Sequence, residues 1–353
     1  MNRHEKALEI LHEGTVIPAI PLVLDAERKF NEKGQRTLIR YYLNSGVGGV
    51  AVAVHTTQFE IRDKNIGLFE PILTVAAEEY DRFESETEKI IVRVAGVCGP
   101  VEQAVAEAKT ARRLGYDAVL LSPGGLGGLS EEEMLERSKE VAAVLPVIGF
   151  YLQTAVGGKR YSFEYWKALA DIDNVVAVKA ASFDPYQTLD LVRGVASSKR
   201  GNSVALYTGN DNNIVIDLLT KYEFIIDGKK VSKRFVGGLL GHWSLWTHKV
   251  VEMFEMLKKY QDKDEIPASL LTLAAGVTDC NGAFFDVANN FAGCIPGVHE
   301  VLRRQGLMEG TWCLNPEEVL SKGQAEEIDR VYKMYPELND DEFVHANIEK
   351  WRR

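Results

Sequence analysis

Eight short apolar runs recur along the chain at intervals of about 30 residues, the length of one strand, one helix and their loops. They occupy residues 16–22, 49–54, 90–97, 118–121, 147–151, 175–179, 204–207 and 236–240. Each is rich in Val, Ile, Leu or Ala and lacks polar alternation, which is the pattern of a parallel strand buried on both faces. Amphipathic stretches lie between them, as at 100–114, 130–144 and 162–172. Ser130 followed by Glu133 is a capping box and marks a helix start. Eight such units predict a (β/α)8 TIM barrel of about 250 residues. The main competitor, a doubly wound open sheet, would carry a glycine fingerprint after its first strand; LDAERKFNEKGQ stands there instead.

Beyond about residue 250 the strand pattern stops. VVEMFEMLKKY, LLTLAAGV and PEEVLSKGQAEEIDRVYKMY read as helices, with turns at QDKDEIP and FAGCIPG. The expected organisation is therefore a barrel over 1–249 and a helical C-terminal extension over 250–353, packed on it. No apolar run is long enough to cross a bilayer, and MNRHEKALEILHEG lacks the apolar centre of a secretion signal, so a cytoplasmic protein is expected. A net charge of −10 argues against nucleic acid as a partner. Cys98, Cys280, Cys294 and Cys313 form no CxxC pair and no Cys/His cluster, which predicts reduced thiols and no zinc site.

Barrel sites sit at the C-terminal ends of the strands. The second run ends in His55-Thr56-Thr57-Gln58, the fifth in Tyr151 with Gln153 just after, and the sixth in Lys179. The seventh ends in Thr208-Gly209-Asn210-Asp211, and the eighth leads into Gly241-His242. Lys179 closes NVVAVK, where burial would lower its pKa and leave a neutral amine that attacks carbonyls. The alternative is a lysine whose ammonium reaches solvent past the strand end. A phenol at Tyr151 can relay protons, or simply fill the core. The hydroxyl pair Thr56 and Thr57 can hold a carboxylate, or cap a turn.

Together these residues resemble the dihydrodipicolinate synthase / N-acetylneuraminate lyase family of class I aldolases, over about residues 10–250. NVVAVKAAS is similar to the family's Schiff-base lysine segment, and VIGFYLQTAVGG to the strand carrying its proton-relay tyrosine. VHTTQFE resembles the Gly-Thr-Thr-Gly-Glu segment, and TGND the Ser-Gly-Asp-Asp segment. The resemblance implies a Schiff-base lyase, aldolase or dehydratase, acting on a 2-oxo acid such as pyruvate or a sugar-acid derivative without a cofactor. Lys179 and Tyr151 would be catalytic, and Thr56, Thr57 and Gly209 would bind substrate. Gln153, His242, His55 and the Lys159-Arg160 pair are candidates for the rest of the substrate. It also implies a homo-oligomer, dimer or tetramer.

The departures are specific. His55 and Gln58 stand where the family has glycines. The synthases' carboxylate-binding arginine would fall at Val156, and the interface tyrosine near Gly124 or Gly125. The pyruvate-handling half of the site is thus expected without the second-substrate half. Two other readings stay open. One is a barrel that binds a small 2-oxo acid in a regulatory role. The other is a metal-dependent aldolase or hydrolase using His55, His242 and Asp211.

Overall fold

A computed structural model describes residues 1–353. The strands are β1 (Val16–Pro18), β2 (Gly49–Val52), β3 (Val92–Val97), β4 (Ala118–Leu121), β5 (Val147–Leu152), β6 (Val175–Ala181), β7 (Ala205–Thr208), β8 (Tyr222–Ile226), β9 (Lys229–Lys233) and β10 (Phe235–Leu240). The helices are α1 (Arg3–Glu13), α2 (Glu32–Asn44), α3 (Phe69–Thr87), α4 (Val101–Arg113), α5 (Glu131–Ala142), α6 (Phe163–Asp171), α7 (Pro185–Ala196), α8 (Ile214–Leu219), α9 (Thr247–Lys258), α10 (Ser269–Phe284), α11 (Cys294–Arg304), α12 (Gln324–Met334) and α13 (Asp341–Trp351). Eight strands form one sheet in the order β1-β10-β7-β6-β5-β4-β3-β2. Each expected run supplies one of them, and the fold is a (β/α)8 barrel with a helical C-terminal part. No helix is long and apolar enough to cross a membrane.

The extra strands β8 and β9 form an antiparallel hairpin between α8 and β10. Asp227 and Gly228 turn it, both at positive φ (49° and 74°), as a two-residue hairpin turn requires. An alternating YEFII and the Asp-Gly pair were visible in sequence, but the span sat inside a single inter-strand gap.

The chain clusters into two compact units, and none of the five boundaries between them falls at residue 250. One comprises 1–15, 92–239 and 257–266; the other comprises 16–91, 240–256 and 267–353. In the first, α1 closes the N-terminal ends of the strands. Arg3 Nη1 and His4 Nδ1 meet the buried Asp117 at the head of β4, and the Tyr207 hydroxyl donates to Leu11 O at 2.7 Å. The expected capping box forms at α5: Ser130 Oγ accepts from Glu133 N, and Glu133 Oε2 accepts from Ser130 N.

In the second unit the C-terminal helices share a core with α2 and α3. The buried carboxylate of Asp340 accepts from the Tyr41 hydroxyl (2.8 Å), Gln305 Nε2 (2.7 Å) and His248 N (2.9 Å). Arg40 of α2 pairs with Glu79 of α3 and donates to Trp351 O of α13. These bonds make the expected extension integral to its unit. Two details differ from the sequence reading. Residues 316–323 are irregular, and α12 starts only after Gly323 at φ 87°. FAGCIPG opens as a turn at Phe291, but its CIPG begins α11.

Candidate active site

Strand β6 places Lys179 between β5 and β7, both parallel to it, with Phe150 and Tyr207 abreast of the lysine. Residues abreast on neighbouring strands point to the same face of the sheet. Lys179 is 8% exposed, and its Nζ lies 4.3 Å from the centroid of the Phe150 ring. Burial pushes its pKa down to about 8, and the charge of Asp211 partly opposes the fall. At pH 7 about one such amine in ten is neutral, against well under one in a thousand for an ordinary lysine.

Gly209 makes room for this side chain. A Cβ there would stand 2.5 Å from Lys179 Cε and 2.9 Å from Ala181 Cβ. Its N–H donates to Ala180 O at 2.6 Å, which holds the β7 loop against the end of β6. Gly209 therefore shapes the path of the lysine stem.

Tyr151 lies on the other face. It is abreast of Ala180; its ring stacks on Trp166 of α6 at 5.2 Å and meets Tyr161 edge-on at 6.0 Å. Its hydroxyl donates to Gln187 Oε1 of α7 at 2.9 Å, and burial raises its pKa to about 12. In this geometry the residue facing Lys179 is Phe150, which has no hydroxyl, while the Tyr151 hydroxyl is turned to Gln187. The cause is a register shift. Val147 is abreast of Val175, and four residues on an unbroken ladder would bring Tyr151 beside Lys179. Instead Ile148 is abreast of Ala177, so β6 gains one residue and every later pair slips by one. A one-residue slip exchanges the two faces.

Gln153 closes the turn after β5 through its carbonyl, which accepts from Val156 N (3.3 Å) and Gly158 N (3.0 Å). Lys159 Nζ donates to Leu129 O, and Arg160 is exposed. Neither residue of that pair is part of the Lys179 cluster.

The Thr56–Thr57 corner belongs to the second unit, in a short 3₁₀ turn after β2. Both hydroxyls are buried and donate to backbone carbonyls, Thr56 to Ala19 O (2.6 Å) and Thr57 to Ile20 O (2.7 Å). A hydroxyl has one proton, so in this geometry neither has one left for a carboxylate. Their observed work is to fasten the corner to the segment just after β1. His55 is half-buried, its ring 5.9 Å from Phe59. Gln58, at φ 69°, is buried, and its Oε1 accepts from Leu314 N at 2.6 Å. The glutamine thus ties the corner to residue 314 of the C-terminal region, which accounts for a side chain where the family has glycine.

His242 is 2% exposed, with Nδ1 2.5 Å from Asn281 Oδ1 and its ring stacked on Phe284. Burial pulls its pKa down to about 4. It is a neutral, packed histidine within its own unit. No group of three or more His, Cys, Asp or Glu is placed to hold a metal ion. All four cysteines are free thiols.

Sequence reasoning missed Phe150 and Asp217, and named Asn210 only as part of the TGND segment. The signal for Asp217 was a lone carboxylate inside the apolar run IVIDLL, which is costly unless several donors meet it.

The profile of the dihydrodipicolinate synthetase family matches residues 13–220, and the chain belongs to that family. Its fold is shared with dihydrodipicolinate synthase from Oceanobacillus iheyensis at 17% identity, over 95% of this chain and 99% of that one, with a TM-score of 0.72. N-acetylneuraminate lyase from Fusobacterium nucleatum matches at 16% identity over 92% and 99%, with a TM-score of 0.70. The same lyase complexed with pyruvate matches at 16% identity over 92% and 97%, with a TM-score of 0.69. No curated protein matches the chain.

Proposed function

We propose that the chain is a Schiff-base lyase in which Lys179 forms an imine with a 2-oxo acid of the pyruvate type. The observation that carries this reading is a buried lysine, poised near pKa 8, at the C-terminal end of a barrel strand. Family membership and the pyruvate complex of a lyase with the same fold support the choice of carbonyl compound. The neutral amine attacks the ketone carbon, forming a C–N bond as the carbonyl π pair moves to oxygen. A proton passes from nitrogen to oxygen, and protonated hydroxyl leaves as water. The iminium that remains is an electron sink, and loss of a C3 substituent or proton yields the enamine used in aldol cleavage, condensation or dehydration.

Every step after the attack itself moves a proton, and Phe150 can move none. We assign the shuttle to Asp211, whose charge already acts on Lys179, together with water and the substrate's own oxygens. A second reading follows from the same phenylalanine: a protein that captures a 2-oxo acid as an imine, turns it over slowly and acts as a sensor or regulatory subunit. We also propose a cytoplasmic homo-oligomer, a dimer or tetramer, which light scattering would measure.

The test is borohydride reduction in the presence of pyruvate and other 2-oxo acids, followed by peptide mass mapping. A mass increase on Lys179 is expected. Absence of any adduct there across the series removes the Schiff-base reading. Turnover of adduct-forming substrates then separates the lyase from the sensor.

A further inference from the structure

Asp217 of α8 is fully buried and makes no ion pair. Its Oδ2 accepts from the Thr208 hydroxyl (2.6 Å) and Asn210 Nδ2 (2.9 Å), and its Oδ1 from Asn213 Nδ2 (2.8 Å). The donors are the last residue of β7, Thr208, and two residues of the loop that follows it, Asn210 and Asn213. Between them stand Gly209, which has no room for a Cβ beside Lys179 Cε, and Asp211, whose charge acts on Lys179. Asn210 reaches further. Its Nδ2 also donates to Thr188 Oγ1 (3.1 Å), and its Oδ1 accepts from Phe183 N (3.0 Å), two residues beyond the end of β6. One carboxylate thus grips the loops on either side of the reactive amine.

We propose that Asp217 is a positioning residue for the Lys179 site: by holding Thr208, Asn210 and Asn213 it fixes the loop that sets Gly209 and Asp211 against the lysine. This rests on the reading of Lys179 as an imine-forming residue and deepens it. Carboxylate is required because all three partners are donors. An amide at 217 would aim an NH2 at one of them, leaving a buried donor unmet. A pocket of about 300 Å³ flanks the network, lined by Thr188, Asn210, Asn213, Asp217 and Tyr222 among others, so a released loop has space to move into. The groups facing the carboxylate are these donors, Tyr222 of β8 and, on the rim of the same pocket, Asp184 at the start of α7.

The lysine itself reports the effect. Its reactivity toward an acetylating reagent, mapped to Lys179 by peptide mass over a pH series, gives its titration midpoint without any 2-oxo acid. Borohydride trapping with pyruvate runs in parallel. In the wild type the midpoint is expected near 8. In Asp217→Asn and in Asn213→Ala, which leaves the charge unchanged, Asp211 loses its place and the midpoint falls by about half a unit or more. Trapping at a pH where every variant is neutral falls by about threefold or more. A purely structural Asp217 would lower the melting temperature and leave the midpoint unmoved in both variants, which overturns the proposal. If Asp217→Asn does not fold, Asn213→Ala decides. If the variants shift the midpoint but the wild type traps no 2-oxo acid, the imine reading falls and the loop's hold on the lysine stands.

Discussion

Two adjacent residues on β5 divide the site's chemistry, and single substitutions separate them. Phe150 faces Lys179, while the Tyr151 hydroxyl is spent on Gln187 in the helix layer. Phe150→Tyr would place a phenol over the amine. General acid–base assistance is worth about 10²–10⁴-fold when well placed, and an unrefined phenol should recover at least about tenfold in trapping rate. Tyr151→Phe should leave trapping within about twofold, since it removes only a hydrogen bond on the other face. A large loss in Tyr151→Phe, measured by borohydride trapping, would restore that tyrosine to the reaction. Gly209→Ala should abolish trapping, because its methyl would occupy the place of Lys179 Cε. The pH profile has a fixed sign. The ammonium is not a nucleophile, so wild-type trapping should fall as pH drops through about 8. The sequence showed Lys179 and the strand bearing its neighbours, because a lysine closing an apolar run is conspicuous. It could not show which of Phe150 and Tyr151 looks at the lysine. That depends on one extra residue in β6, and the two registers have equally apolar patterns.

At the scale of elements, all eight barrel strands were legible because strands buried on both faces read as unbroken apolar runs. The hairpin β8–β9 was not, since neither strand has a fully buried residue and neither offers a run of that kind. The ends of helices were clear where side chains cap them, as at Ser130, and obscure where α12 starts after an irregular stretch. Nor did the sequence tell what Gln58 does, because its partner, Leu314 N, lies 256 residues away. That link is testable. Gln58→Ala loses the acceptor of a half-buried N–H and should cost about 1 kcal/mol in urea unfolding. Gln58→Gly loses the same bond but relieves a side chain at φ 69°, and should be more stable than the alanine variant by about 1 kcal/mol. Equal stability of the two would mean that the turn carries no strain. Wild-type-like stability of both would mean that the bond to residue 314 contributes nothing.

For the whole molecule, buried ionisable groups set the response to acid. His242 and His299 are each almost fully buried, and burial lowers each pKa from 6.5 to about 4. The unfolded chain therefore binds protons at these histidines at a pH where the folded chain does not. Their contribution is present above about 6.5 and is lost as pH falls through about 4, and it amounts to at most about 3 kcal/mol per histidine. Asp217 acts in the opposite sense. Its folded pKa is raised from 3.8 to about 6, so folding takes up a proton over that interval and gains stability as pH falls. Asp340, whose pKa burial also raises, acts with Asp217, whereas Glu79 and Glu300, held low by their arginine partners against the effect of burial, act with the histidines, so the melting temperature should decline between pH 6.5 and 4. His242→Gln keeps a group able to donate to Asn281 and cannot gain charge. Its melting temperature should depend less on pH over that interval than the wild type's, even if it starts lower at pH 7. The comparison needs only thermal unfolding of the two proteins at matched pH values. Parallel curves would show that His242 is not among the groups through which acid loosens this fold.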